Sequence, residues 1–339
     1  MLPTNGCLEV LKGGIGMLTA PGAGQNSALP ALADGYSKGR CKWVVRKGGQ
    51  LWHAYGAHGA VGKANQEIEL DGGLFYAAHP WDTALMNTEH SGIFVCLLTM
   101  ANGGRLVGDL PVLAGYANAN ALWKIRGTSP SYCDVDVVAT GADKESSLKP
   151  LRFDVYDVTR DEDADFVMNG ALRRFTWMAN KWSTVVRKYG LGTLRLNGVC
   201  TADNAYDKTI ELYDGTWLLG ASGVAVAPFK LNGGTLAAAE GAVNEVGTLT
   251  VAKAGAIKVA EGATLSFADS SGVEWTAGTG ERVVVTADLS KNSVRFGTDA
   301  NGLTAEQLRM LRNAAGKRVA LDENGWLRDG NFGLMMVVR

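Results

Sequence analysis

Along this chain, short apolar runs recur behind a glycine, and the positions between them alternate polar and apolar. The phrase glycine, one residue, large apolar residue stands at Gly16-Met17-Leu18, Gly49-Gln50-Leu51, Gly73-Leu74-Phe75, Gly104-Arg105-Leu106 and Gly170-Ala171-Leu172. It returns at Gly192-Thr193-Leu194, Gly215-Thr216-Trp217, Gly234-Thr235-Leu236, Gly247-Thr248-Leu249 and Gly255-Ala256-Ile257. Glycine frees the backbone for a tight turn, and the apolar residue opens a strand that buries one face. From about residue 185 the chain is almost continuous short strand and turn, as in Thr209-Ile210-Glu211-Leu212, then Asp214-Gly215, then Trp217-Leu218-Leu219. Period-two alternation broken by Gly, Asn or Asp predicts an all-β chain of short strands.

The intervals between these glycines choose among all-β folds. Gly170, Gly192, Gly215 and Gly234 lie 22, 23 and 19 residues apart. That is the size of one coil of a stacked solenoid, whereas a sandwich turns every 8–12 residues or so without a longer period. The later intervals of 13 and 8 residues fit successive strands inside one coil. Gly192, Gly215, Gly234 and Gly247 are therefore expected to be structural turn glycines. Before Gly170 the period is wider, so loops or insertions must leave the stack there. Two stretches also match across the chain: Val10-Leu11-Lys12-Gly13-Gly14-Ile15-Gly16 parallels Val186-Arg187-Lys188-Tyr189-Gly190-Leu191-Gly192.

The end of the chain reads differently. Thr304-Ala305-Glu306-Gln307 has the form of a capping box, and Leu303, Leu308 and Leu311 fall on roughly one helix face. Gly316 can stop that helix, and Asn324-Gly325 between apolar runs is a hairpin signal. Residues 333–338 are expected to add a last strand. The reading divides the chain into an irregular block of coils with insertions over 1–160, regular coils over 161–267, and a helix-and-hairpin cap over 268–339.

Residues 188–198, Lys-Tyr-Gly-Leu-Gly-Thr-Leu-Arg-Leu-Asn-Gly, resemble the phrase of autotransporter-associated β-strand repeats. The tract that follows is similar to the rest of that repeat through Tyr206, Thr209-Ile210, Asp214-Gly215 and Leu231-Asn232-Gly233-Gly234-Thr235-Leu236. Residues 303–308 and 319–327 resemble the tail of large bacterial surface proteins that carry it. The resemblance covers about residues 160–330. It implies a right-handed parallel β-helix with a pectin-lyase-like architecture, part of an exported or surface-displayed passenger of Gram-negative bacteria. The chain departs from that pattern in lacking a recognisable signal peptide and an outer-membrane barrel, and in its five cysteines.

Composition narrows the function classes. A formal net charge of -1 with no clustered basic face argues against a nucleic-acid binder. Hydrophobic residues at 46% place the chain among folded proteins, and 44 glycines against 8 prolines favour many turns. No stretch is long and apolar enough to span a membrane as a helix. The cysteines Cys7, Cys41, Cys96, Cys133 and Cys200 form no Cys-x-x-Cys pair and read as buried small residues, with pairing left open by spacing alone.

Candidate chemistry is thin. Asp134 and Asp136 lie two apart in a strand-like run, and Asp154 and Asp157 follow in Phe153-Asp154-Val155-Tyr156-Asp157. Convergent carboxylates could bind calcium or serve as the acid and base of a glycosidase or polysaccharide lyase. Solvent-facing strand positions are the simpler assignment. The run Asp161-Glu162-Asp163-Ala164-Asp165 lacks EF-hand spacing and reads as a solvated loop. His53, His58, His79 and His90 have no ligand-like spacing, so neither metal nor cofactor is expected. Trp52 and Trp81 head a group of aromatics in the first half that could stack on sugars, though packing against the solenoid is the commoner use of such rings. The sequence thus points to a non-catalytic structural or adhesive solenoid, extracellular or cell-surface and part of a longer exported protein. Its expected partners are surface glycans or other surface proteins. A carbohydrate-active enzyme and a glycan-binding module are the alternatives.

Overall fold

The structure is a computed structural model that describes residues 7–18, 41–53, 60–61, 66–77, 93–95, 97–109, 111–114, 121–139, 149–159, 164–174, 184–199, 205–224 and 226–330. The chain is a parallel β-helix. Each coil lays one strand on a first sheet, turns a corner, lays a second strand on a second sheet, and in most coils adds a third.

The first sheet has ten strands in chain order, beginning Cys7–Val10, Cys41–Arg46, Gln66–Asp71, Leu97–Ala101 and Ala121–Arg126. It goes on with Leu151–Val155, Val186–Tyr189, Ile210–Leu212, Phe229–Asn232 and Leu249–Lys253. The second sheet has twelve, from Ile15–Leu18 to Leu311–Asn313. We number the coils by their first-sheet strands, so that coil 7 begins at Val186 and coil 8 at Ile210. Neighbouring strands in both sheets are parallel, as a coiled connection requires.

Register supports the repeat length read from the glycines. Ile210 pairs with Phe229 and Thr216 with Thr235, each 19 residues on, and Thr235 with Ala256, 21 residues on. Earlier coils are longer: Leu151 pairs with Val186, 35 residues on. Seven of the ten glycine phrases, those at Gly49, Gly73, Gly104, Gly192, Gly215, Gly234 and Gly255, open or enter second-sheet strands. Gly16 sits inside one, Gly170 leads into the third wall, and Gly247 leads back into the first sheet. The phrase therefore marks one corner. Its carbonyls continue the ladder there: Leu74 N–H donates to Gly49 O (3.1 Å), Arg105 to Gly73 O (2.9 Å) and Thr235 to Gly215 O (2.8 Å). A side chain at Gly73 or Gly104 would land on the carbonyl oxygen of Val45 or Leu70 in the preceding coil. Backbone meets backbone at this corner, and only glycine leaves the room.

Alternation sends one residue in two to the interior. In Ala121–Arg126 the pattern is strict, with Ala121, Trp123 and Ile125 buried. Inward residues of successive coils lie in register as columns, for example Trp43, Ile68, Leu98, Trp123, Phe153, Lys188, Leu212, Leu231 and Val251. Every member but Lys188 is apolar, and the rings of Trp123, Phe153, Phe166 and Trp217 pack edge-on or tilted at 5.6–6.5 Å between centroids. At roughly 25 cal/mol per Å² of buried apolar surface, these columns are the main stabilising term.

The third wall is in two parts. Five strands from Ala60–Val61 to Leu172–Arg174 form one, and Val243–Val246, Thr264–Phe267 and Val294–Phe296 form the other. The tract from 268 onward both extends the stack and closes it. Val283–Thr286 and Leu311–Asn313 add to the second sheet on either side of the helix, and the hairpin completes the end. Helix Ala305–Met310 carries the expected capping box: Gln307 N–H donates to Thr304 Oγ1 (3.2 Å), and Thr304 N–H to Gln307 Oε1 (2.7 Å). The helix ends at Met310, ahead of Gly316, because Leu311 turns extended to pair with Val283. Val319–Leu321 and Leu327–Asp329 form the antiparallel hairpin around Asn324-Gly325, with Gly325 at φ 78°. The strand expected over 333–338 lies outside the described residues.

Candidate functional site

The four candidate aspartates sit on different parts of the coil. Asp134 and Asp136 do not share a strand face; they flank the corner between second sheet and third wall, either side of Val135. Asp134 accepts from Arg105 (Nη2, 2.6 Å; Nε, 3.1 Å) through one oxygen and from Asn169 Nδ2 (2.6 Å) through the other. Asp136 accepts from Ala171 N–H (2.8 Å) and Arg173 Nη1 (3.0 Å). Asp154 faces outward on the first sheet beside Arg152 (3.2 Å), and Asp157 is exposed at the corner that follows. The structure brings Asp134 and Asp136 together at one corner and places Asp154 on another sheet. At Asp134 and Asp136 both carboxylate oxygens already accept from neighbouring coils, so these groups join coil to coil.

Asp134 also begins a polar ladder. Asn169 donates to it, Asn197 Nδ2 donates to Asn169 Oδ1 (2.9 Å), and Arg195 Nε donates to Asn197 Oδ1 (2.9 Å). The run from Asp134 to Asn197 thus climbs three coils along one corner.

Trp52 is half-buried on the outer face of the second sheet. Its ring stacks on Tyr76 one coil later at 4.7 Å and 24°, and its Nε1 donates to Gln50 Oε1 (2.8 Å). Tyr76 OH donates to Asp109 Oδ2 (3.0 Å), and that carboxylate raises the phenol's pKa. A second outward pair, Tyr189 on Tyr213 (4.3 Å, 13°), lies on the first sheet with the Arg152 guanidinium 4.2 Å from the Tyr189 centroid. Because both stacks run along the coil axis, each ring has one face taken by its neighbour. Trp81 lies outside the described residues, as do His58, His79 and His90.

Two buried charges were not read from the sequence as such. Asp165, which the composition of its tract assigns to a solvated loop, is instead 1% exposed. Its Oδ1 accepts from the Val158 and Thr159 amides (2.8 and 3.0 Å) and from Thr159 Oγ1 (3.0 Å), while Oδ2 accepts from Thr193 N–H (2.6 Å). The acidic run misleads because charge density is a property of a window, whereas Asp165 alone immediately precedes the strand Phe166–Met168. Residues 161–163 lie outside the described set.

Lys188, the lysine of the repeat-like phrase, is fully buried in the apolar column between Phe153 and Leu212. Its Nζ donates to three main-chain carbonyls: Tyr189 O (3.2 Å), Gly190 O (2.6 Å) and Asp214 O (3.1 Å). Burial pushes its pKa down to about 7, against the opposing pull of Asp214, Asp165 and Asp154. Cys133 is also interior, with its thiol pushed up to about 12 by burial, while Cys7 is exposed.

Among the described residues, no group of three or more His, Cys, Asp or Glu side chains is placed to hold a metal ion, and no helix is long and apolar enough to cross a membrane. Comparison with family models, with curated proteins and with solved structures found no match. Fold and geometry define the class as a parallel β-solenoid whose polar side chains chiefly join one coil to the next.

Proposed function

We propose that the chain is a structural and adhesive β-solenoid segment of a bacterial surface or secreted protein, acting as a stalk or spacer without catalysis. The observation that carries this reading is the second sheet, in which twelve parallel strands follow one another in chain order from Ile15 to Asn313. Such a stack resists bending and shear because each coil is hydrogen-bonded to both neighbours, and its stability adds up from nearest-neighbour interfaces. The polar groups at its corners act in the same sense, with Asp134, Asp136 and Asp165 joining coils.

The location is tested with a membrane-impermeant biotin reagent on intact cells of the source organism, followed by detection of the chain in cell and medium fractions. Labelling in intact cells or recovery from the medium is expected. A chain labelled only after lysis and absent from the medium overturns surface display.

One observation favours a second reading, glycan binding. The Trp52–Tyr76 pair places adjoining aromatic rings on the outer face of the second sheet. A glycan array comparing wild type with Trp52→Ala tests it; binding that is lost in the variant supports the reading, and equal binding by both removes Trp52 from it.

A further inference from the structure

Among the described residues the third wall falls into two parts. Between Leu172–Arg174 in coil 6 and Val243–Val246 in coil 9, the described residues contribute no strand to that wall. In coil 8 the third side passes through turns; one main-chain bond, Gly223 N–H to Val243 O (3.0 Å), joins it to coil 9, and side chains add to it. Asn244 Oδ1 accepts from Val224 N–H (3.0 Å), Asn244 Nδ2 donates to Ala221 O (3.0 Å), and Ser222 Oγ accepts from Val243 N–H (2.9 Å). A small apolar pocket opens in the same gap, lined by Leu172, Leu196, Tyr206, Ile210, Val224 and Val226. Val199 and Val226 are at least half exposed on this side. Fewer ladder bonds and less apolar burial lower the free energy of local opening.

The same two coils hold the only lysine buried in the interior among the described residues. Lys188 belongs to coil 7, and one of its three acceptors, Asp214 O, belongs to coil 8, so the amine bridges the joint. Its inward neighbours in register, Phe153 and Leu212, are apolar and offer no counter-charge. The charged groups around it are Arg152 and Asp154 on the strand before, Glu211 and Asp214 at the strand after, Arg187 on its own strand, and Asp165 at the corner. Arg187 is matched by Glu211 (2.7 Å), and Arg152 by Asp154 (3.2 Å). Asp165 is engaged with the amides of Val158, Thr159 and Thr193, and among the described residues no carboxylate hydrogen-bonds the Lys188 amine. Three carbonyls replace only part of the hydration an ammonium has in water.

We propose that coils 7 and 8 are the joint at which this stack opens first, and that charging Lys188 loosens it. Opening lets the ammonium hydrate, so protonation favours the open joint. The closed joint is favoured as pH rises above about 7, toward the ordinary lysine value: there burial leaves the amine neutral, and its two remaining N–H groups keep two of the three carbonyl bonds. Linkage then sets the size of the effect: the opening constant changes by about tenfold per pH unit within that window and levels off below it.

Hydrogen exchange on the whole chain, corrected for the intrinsic pH dependence of the chemistry, tests this. Peptides covering 186–196 and 210–219 are expected to exchange faster at every pH than those covering 235–259. Their corrected opening is expected to rise by about fiftyfold from pH 9 to pH 7, while 235–259 stays constant. In Lys188→Met the pH response of 186–219 should vanish. Uniform protection along the stack overturns the joint, and a pH response that persists in Lys188→Met overturns the role of the lysine. If that variant does not fold, the wild-type chain still decides: a response equal in 186–219 and 235–259, or none in either, overturns the proposal.

Discussion

Coils 5 and 6 and coils 8 to 10 follow one plan and close the same corner by different means. In the later coils a glycine stands there, at Gly215, Gly234 and Gly255, and consecutive strands lie 19 to 21 residues apart. Coils 3 and 4 also use glycine, at Gly73 and Gly104. In coils 5 and 6 the second-sheet strand follows Pro130 and Asp165 instead. There side chains do the work: Asn102 Oδ1 accepts from the Thr128 amide (3.0 Å), and the Asp165 carboxylate gathers three amides and a hydroxyl. Glycine solves the corner by letting two backbones touch. Asparagine and aspartate solve it by supplying the acceptor that a wider turn leaves missing. A corner of the first kind is broken by an added atom where the backbones lie closest, as at Gly73 and Gly104, and one of the second kind by a removed acceptor.

The largest break in this comparison should come from adding an atom to a glycine corner. Gly104→Val would drive its side chain into the carbonyl and Cβ of Leu70 in the coil before, and neither can retreat without unpairing its strand. We expect a loss of about 4 kcal/mol or more, read as failure to fold or a collapse of the denaturation midpoint. Gly272→Ala, with nothing within 4 Å of the new Cβ, is the control and should lie within about 0.5 kcal/mol of wild type. Next comes the column both regions share. Phe153 is fully buried and meets Trp123 and Trp217 edge-on at 5.6 and 6.2 Å, so Phe153→Ala should cost about 3–5 kcal/mol in urea denaturation.

Removing an atom from a side-chain corner should cost somewhat less. Asp165→Ala strands the amides of Val158, Thr159 and Thr193 in a buried setting, and water can reach only some of them once the side chain is gone. A loss of about 2–4 kcal/mol is expected. Asp165→Asn keeps one acceptor oxygen and should lose roughly half as much. Equal losses would mean that the charge, rather than the acceptor count, holds this corner.

This contrast also explains what could be read from the chain before its structure. The glycine corner was legible because its requirement is local: a residue type, a spacing, and an apolar residue two places on. The capping box at Thr304 and the hairpin at Asn324-Gly325 were legible for the same reason. Lys188 could be seen as part of a repeat-like phrase, yet nothing local says that its side chain points inward. That follows from the register of Lys188 between Phe153 and Leu212, 35 residues before and 24 after. Asp165 was hidden among acidic neighbours, and its partners come from the start of its own corner and from the next coil. The candidate pair Asp134 and Asp136 was visible as a pair, but its partners Arg105, Asn169 and Arg173 lie 29 to 37 residues away in sequence. A solenoid puts its specific contacts one coil apart, at whatever distance the loops between have set.

The finest test lies within the side-chain corner itself. Asn102 holds a left-handed backbone (φ 53°), and its amide bridges coils by donating to Asp71 Oδ1 (2.6 Å) and accepting from Thr128. That amide, aided by Arg46, holds the Asp71 carboxyl below the ordinary aspartate pKa. A carboxylate depressed in the folded state contributes stability that is present above its unfolded value, near 4, and is lost as pH falls through the folded value. Asn102→Gly keeps the backbone conformation and removes the amide, so the Asp71 pKa should rise toward the ordinary value in an NMR titration. Because the Asp71 side chain is partly exposed (24%) and that of its partner Arg46 more so (44%), the electrostatic part of the loss at pH 7 should be under about 1 kcal/mol and should disappear as pH falls through the folded pKa. A deficit that persists unchanged in acid would assign the role of Asn102 to the Thr128 acceptor bond alone, and the corner would then be closed by one contact instead of two.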